Sequence, residues 1–421
     1  MQSIKGKKLL LLGSMPVMKD VIDKARELGV YTIVTDYNDP KDFPVKKHAD
    51  EYRMISYSDF DAIYKLIEEE NIDGVYTQFN DSALPYCQHI CEHEGFPFFL
   101  NADQVYQISN KEASKNLCLK YGIPVSKEYH LTEEFKDEDV AAIEWPVLTK
   151  PTDNSGQRGI TICHDLEELK KGYEYAKENC KEGKVIIEEY MQGDYVVINF
   201  TLQDGELYLS CLADKPVVDE AHSNGMIRLP KGYIMPSKYI NLLYEKRFEN
   251  FRAFAKGLGL KNGSWGVECI VRNNDFYVFE MQFRLGGMRH YTFVQAENGI
   301  DILEMHIRYA LTGEFDAYDL SKLDNPYFKK TNCLLNVILK EGTKTNIRGM
   351  ESICDIPEIE SYSCMHQIGD TIELSGSVFQ IFLKASIVTE SYEQLIKVLT
   401  EIQNKLQVED ENGENMVLPI V

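Results

Sequence analysis

The sequence lacks paired-cysteine spacing. Its ten cysteines are scattered, with no CxxC among them, and read as reduced thiols of a cytosolic protein. It lacks a membrane span too, since no uninterrupted apolar run approaches the roughly 20 residues a bilayer needs. Leu9 to Leu12, ahead of Gly13, are too short for a secretory h-region and read as a buried strand. Positive charge is scarce. Acids outnumber bases 67 to 45 for a formal charge of −22, a field that repels nucleic acid and anionic membranes. A phosphate-bearing small molecule stays compatible where basic groups gather in one cleft. The expected location is cytoplasmic. Gly13-Ser-Met-Pro-Val-Met lacks the second and third glycines of a GxGxxG dinucleotide loop, and Asp36 near the ribose-acid place is weak support for one.

What is present fits two or three domains in 421 residues. At the start, a leucine strand, a helix over 20–28, a strand over 30–35, a helix over 58–70 and a strand over 74–78 alternate. That order predicts a doubly wound parallel sheet over residues 1–105, with its ligand crevice at the strand carboxyl ends. Gln78, Asn80 and Asp81 follow a strand there; substrate contact and plain turn capping both suit them. Cys87, His89, Cys91 and His93 fall on one helix. Cys87/Cys91 and His89/His93 lie on faces offset by about 200°, so one metal reaches only one pair; buried thiols and surface imidazoles suit them better.

From 106 the pattern changes. Helices are expected over 109–119, 165–179 and 238–258. Strands are expected over 145–150, 160–163, 185–189, 195–202 and 206–212, then a hairpin over 264–282 that turns at Asn273-Asn274-Asp275. After 316 a smaller α+β unit follows, with a strand over 331–339, short strands near 371–388 and a helix over 391–406. The acidic segment Glu409 to Asn415 reads as a mobile end.

Three strings carry chemistry. In Trp145-Pro-Val-Leu-Thr-Lys150 an apolar strand delivers a lysine, and a loop with Ser155, Gly156, Gln157, Arg158 and Gly159 follows. Such a loop can turn N–H groups toward phosphates, and Lys150 would add a point charge; a surface turn with a snorkelling lysine is the alternative. In Val185-Ile-Ile-Glu188-Glu189-Tyr-Met191-Gln-Gly193 a strand runs into a short linker able to serve as an adenine hinge, or as an ordinary strand–turn–strand. In the third, Glu268 sits on one strand. Glu280, Gln282 and Arg284 follow at spacing two on the next, so a hairpin brings two carboxylates and an amide oxygen together. Oxygen donors of that kind suit Mg²⁺ shared with phosphates, and Arg284 would neutralise a transferring phosphoryl group. Gly286 and Gly287 would let backbone approach a ligand. A solvated Glu–Arg face leaves the flanking apolar alternation unexplained.

In this order the strings resemble the ATP-grasp superfamily, whose relatives include biotin carboxylase, the carbamoyl phosphate synthetase large subunit, D-alanine–D-alanine ligase and L-amino acid ligases. The resemblance covers about residues 5–315. It implies a pre-ATP-grasp domain over 1–105, an ATP-grasp domain over 106–315 with a mobile lid over about 129–195, and a C-terminal α+β domain over 316–421. It further implies ATP and Mg²⁺, with Mn²⁺ as an alternative ion. Carried over position by position, Lys111 and Lys150 match the nucleotide-binding lysines, and Ser155 to Gly159 match the phosphate loop. Glu188 matches the acid at the adenine amino group, with the backbone of Glu189 and Met191 completing the hinge. Glu268 and Glu280 match the metal glutamates, and Gln282 stands where asparagine is usual. Arg284 matches the arginine that steadies an acylphosphate. Tyr195 stands where a ribose-binding glutamate is usual, and Asp194 is the substitute to consider.

The implied reaction is carboxylate phosphorylation followed by amine attack, releasing ADP and phosphate, on a small amino acid or peptide. Asn80, His222, Arg228, Gly287 and Arg289 are the candidate substrate residues, with Ser223, Asn224 and His290 beside them. The partners expected are small-molecule carboxylates and amines, with a homodimer left open. Two other readings stay open: a bicarbonate-dependent carboxylase or carbamoyl-phosphate type, and a nucleotide-binding module without catalysis.

Overall fold

Four leucines in a row make β1 (Lys8–Leu12), and Leu9 to Leu12 are wholly buried. A continuous apolar run suits a strand covered on both faces. It pairs in parallel with β2 (Tyr31–Thr35) and β4 (Gly74–Tyr76), and β2 pairs in parallel with β3 (Glu51–Arg53). The order β3-β2-β1-β4 is that of a wound parallel sheet. The computed structural model describes residues 2–41, 43–131, 134–152, 159–180, 184–218, 229–374 and 378–421.

One face of this sheet is closed by the helix Ile302–Thr312. Ile302, Met305 and Ile307 share a core with Leu9, Leu11, Val21 and Ile22. Gly74 is required for that approach, because a Cβ there would lie 2.3 Å from the Ala310 carbonyl oxygen. On the helix Leu84–Glu94, Cys87 and Cys91 are buried. His89 and His93 are exposed and lie against Phe60 and Tyr64, with centroids 4.5 and 4.0 Å apart. Asp36 accepts from the Ser14 hydroxyl at 2.7 Å and is buried in its own turn.

A second, four-stranded sheet has the order β5-β8-β6-β7, formed by β5 (Glu128–Tyr129), β6 (Val147–Pro151), β7 (Thr161–Cys163) and β8 (Val185–Glu189). The helix Leu166–Glu178 packs across it through Leu169. The third sheet is antiparallel and eight-stranded, in the order β13-β12-β9-β10-β11-β14-β19-β17. Its members are β9 (Asp194–Gln203), β10 (Glu206–Asp214), β11 (Gly232–Met235), β12 (Gly263–Arg272), β13 (Asp275–Gln282), β14 (Thr331–Ile338), β17 (Ile359–Cys364) and β19 (Ile381–Thr389). Two short pairs, β15 (Gly342–Thr343) with β18 (Thr371–Ile372) and β16 (Asn346–Arg348) with β20 (Gln407–Glu409), complete the C-terminal part. Strands on both sides of residue 316 therefore share one hydrogen-bonded sheet.

Three expectations need correction. The helix expected over 109–119 is found at Lys111–Lys120, and a helix not expected, Ala102–Ser109, precedes it. Between them Asn110 (ψ 120°) uses its side chain to cap the second at Glu112 and Ala113. The single helix over 238–258 is two helices, Ile240–Lys246 and Phe248–Gly257, broken at Arg247, whose guanidinium is drawn to Asp275. The acidic end is a hydrogen-bonded turn, in which Asp410 accepts from the Asn412 and Glu414 amides at 2.8 Å each.

Candidate functional site

At the N-terminus of the helix Lys111–Lys120, Lys111 reaches the β6 end and donates to the Pro151 carbonyl oxygen at 3.1 Å. The helix that carries it also packs against β13, the strand of Glu280, so the β6 end of the small sheet and the edge of the large sheet flank one cleft there. Lys150, on β6, is 6% exposed and pairs with Glu188 of β8 at 2.5 Å. The other Glu188 oxygen is held by Lys115 and by the Ser126 hydroxyl, the latter at 2.7 Å. Burial pushes the Glu188 carboxyl up, but Lys150 and Lys115 outweigh it and hold the group at about 2. Glu188 is therefore an anion that fixes two ammonium groups. Lys115 was missed in the sequence, although its spacing of four from Lys111 places both on one helix face.

Beyond β8, the Met191 side chain is buried, and its backbone N–H donates to no acceptor among the described residues. Glu189 binds Arg272 at 2.5 Å. A Cβ on Gly193 would meet the Val271 carbonyl oxygen at 2.4 Å, so glycine lets the linker lie on β12. Asp194 is engaged by Lys238 at 2.7 Å and by the Tyr239 hydroxyl at 2.5 Å, while Tyr195 lies edge-on to Phe279.

The hairpin of β12 and β13 turns at Asn273 and Asn274, both at positive φ (52° and 57°), as a two-residue hairpin loop demands. Its register sets Glu268 directly opposite Glu280. Like charges so placed repel. Glu280 opens to the cleft, yet desolvation there, then Glu268 and Asp81, push its carboxyl up against the pull of Lys215 and Lys111. Lys215, directly after β10, pairs with Glu268 at 2.5 Å. This second lysine was also missed, because nothing local in the sequence ties it to β12. Gln282 accepts from Arg284 at 2.7 Å.

Arg284 is 9% exposed and grips Asp81 through Nε and Nη2, at 2.6 and 2.5 Å. Gln78 accepts from the Leu285 amide at 2.5 Å. The carboxyl end of β4 thus fastens the Arg284 loop, and Phe79 between these contacts holds a φ of 67°. Asn80 instead caps its own turn at Ser82, 3.1 Å away. Gly287 has open space beside it. Arg289, at φ 52°, binds Asp20 at 2.7 Å, whereas His290 is buried, which lowers its imidazole to about 3. Of the phosphate-loop candidates only Gly159 (φ 79°) is described. Ser155, Gly156, Gln157, Arg158, His222, Ser223, Asn224 and Arg228 lie outside the described residues.

The donor set accommodates a hard divalent cation. Glu268, Glu280 and the Gln282 amide supply only oxygen, and neutralising the opposed carboxylates would relieve their repulsion. No cluster of three or more acidic, imidazole or thiol groups able to hold a metal occurs among the described residues, so further ligands would come from a bound phosphate.

Comparison with known proteins agrees with this geometry. Residues 143–291 match the family model described as an ATP-grasp domain. The formate-dependent phosphoribosylglycinamide formyltransferase of Wolinella succinogenes is 25% identical over 283 residues, 66% of this chain and 70% of that one. A crystal structure of L-amino acid ligase from Bacillus licheniformis superposes with a TM-score of 0.80 at 18% identity, covering 97% of this chain and 100% of the other. The biotin carboxylase domain of Hydrogenobacter thermophilus 2-oxoglutarate carboxylase, solved with MgADP, ADP and bicarbonate, gives 0.72 at 19% identity over 98% and 91%. At these identities the two structures share the fold.

Proposed function

We propose, from the premise that this chain carries an ATP-grasp domain and belongs with the ATP-dependent ligases built on it, that it phosphorylates a carboxylate and joins the resulting acylphosphate to an amine. The observation that carries this reading is the opposed pair Glu268 and Glu280 in one cleft with Lys111, beside Arg284. Lys150 and Lys111 would hold the phosphates, and the 189–191 backbone would take the adenine. Mg²⁺, held by Glu268, Glu280 and Gln282, would supply charge neutralisation at the phosphates. The substrate carboxylate attacks the γ-phosphorus, ADP leaves, and the amine nitrogen then attacks the acyl carbon and expels phosphate. The chain contributes position and charge rather than covalent chemistry. Arg284 would exchange part of its contact with Asp81 for the transferring group, and the small sheet would shield the acylphosphate from water.

The likeness to a protein named as formate-dependent favours formate as one acid to try. The test is a screen of ADP and phosphate release with paired amino acids, and with formate or bicarbonate as the acid. We expect one ADP and one phosphate per amide bond. Release of AMP and pyrophosphate would replace this scheme with adenylation. ADP release on bicarbonate alone would move the chain to the carboxylase type.

A further inference from the structure

The opposed acids of the metal hairpin have a counterpart in the small sheet. Glu128 of β5 stands directly opposite Glu188 of β8, and like charges so placed repel. Lys115 bonds to both: it pairs with Glu128 at 3.2 Å and with Oε2 of Glu188. It reaches them from outside that sheet. Its helix, Lys111–Lys120, is rooted in the large sheet, where Cys118 shares a core with Val278 and Met281 of β13. Lys115 is thus a strut, 9% exposed, from the body that carries the metal strands to the two strands of Glu128 and Glu188. Burial pulls its ammonium down, but Glu188 and then Glu128 outweigh that and raise it, so it stays charged.

Glu188 is where two cations meet. Oε1 takes Lys150 at 2.5 Å, and Oε2 takes Lys115 together with the Ser126 hydroxyl, the latter at 2.7 Å. The residue is 4% exposed and held ionised. A buried carboxylate stripped of its last cation costs far more than one that keeps a partner. Lys150 can therefore turn from Glu188 toward a phosphate at low cost when another positive charge stays behind. Among the described residues Lys115 is the other cation on Glu188. Lys111, one turn earlier on the same helix, donates to the carbonyl of Pro151, the residue after Lys150. One helix thus meets the small sheet at both lysine-bearing places, directly through Lys111 and by way of Glu188 through Lys115.

We propose that Lys115 is a positioning residue for phosphate binding: it compensates Glu188, so that Lys150 is released to engage the triphosphate. Lys115 acts through Glu188 rather than by touching the nucleotide. The inference deepens the ligase reading and rests on its assignment of Lys150 to the phosphates, but not on which acid or amine reacts.

Calorimetric titration of the full chain with Mg·ATP and with adenosine reads the effect without turnover, and an ADP-release assay adds KM and kcat. Lys115→Met should weaken Mg·ATP roughly tenfold and leave adenosine near its original affinity. KM for ATP should rise with it, while kcat at saturation changes little. Lys115→Arg should restore the affinity. Adding Glu188→Gln to Lys115→Met should recover most of the loss, because a neutral amide no longer retains Lys150. Should Lys115→Met fold poorly, the double variant is read against Glu188→Gln alone, and equal Mg·ATP affinity is expected. A lysine that merely supports the fold predicts otherwise: ATP and adenosine weaken together, and the second substitution deepens the loss. Either of those results, or an unchanged Mg·ATP affinity in Lys115→Met, overturns the proposal. Lys150→Met separates it from the reading beneath it. Full Mg·ATP affinity in that variant would remove Lys150 from the phosphates and take the inference with it. Weak binding there beside full binding in Lys115→Met would sink the inference alone.

Discussion

Glu280 carries opposing demands. Its carboxylate faces Glu268 across two strands, with Asp81 also near, and its carboxyl is pushed up by desolvation and these charges. An acid whose folded value is raised destabilises the native state when ionised, and the penalty vanishes as pH falls and the group is protonated. Glu280→Gln should therefore stabilise the nucleotide-free protein at neutral pH. The gain should shrink in acid, while Mg²⁺-dependent turnover drops by at least about 100-fold. Urea unfolding at two pH values and an ADP assay read both effects. A variant that is less stable at neutral pH would show that the Lys215 pairing, rather than the opposed acids, dominates this site. Most of these residues were legible because strand spacing of two and the hairpin turn are local rules. Lys115 and Lys215 were not. Their partners Glu188 and Glu268 lie 73 and 53 positions away, and only the folded sheets set those distances.

At the level of elements, period and punctuation in the sequence placed the long strands of the three larger sheets but not β3, β5, β11 or β17. Leu9–Leu12 read as a buried strand, and Asn273-Asn274 as a hairpin turn, because both signals are contained within a few residues. Helix breaks at Asn110 and Arg247 were hidden. Neither is a proline or a glycine, and each break depends on where a side chain finds its partner: two backbone amides for Asn110, Asp275 for Arg247. The linker after β8 shows what an element owes to a single residue. Gly193 lies so close to Val271 that any Cβ would displace backbone from backbone. Gly193→Ala should lower stability by about 1–3 kcal/mol and weaken ATP binding more than it changes turnover at saturation, since the hinge would shift while the metal strands stay. Denaturant unfolding and nucleotide titration check this. Unchanged ATP affinity would mean that the 189–193 linker does not hold the base.

For the whole molecule, composition predicted several domains, but not that strands on either side of residue 316 would join one sheet. β11 pairs with β14 over four residues, from Gly232 opposite Leu335 to Met235 opposite Asn332. β14 in turn pairs with β19 along its length. Gly232 is packed so closely that an added Cβ would lie 2.8 Å from the Leu334 carbonyl oxygen. Ile234 also enters the core formed by Leu335, Leu383 and Leu399. A chain ending at residue 315 would expose the β11 edge and that apolar side chain together, and unpaired edges of this kind invite association. It would also lose Asn332, which binds Glu297 at 3.1 Å and so ties the sheet to the helix His290–Asn298 behind Arg289. We therefore expect the 1–315 fragment to aggregate, or to unfold without a cooperative transition, under conditions where the full chain gives one. Calorimetry and sedimentation decide the matter. A monomeric fragment with a Tm close to that of the full chain would show that the cleft stands without residues 316–421, and that the strands after 316 extend a sheet already sufficient to build it.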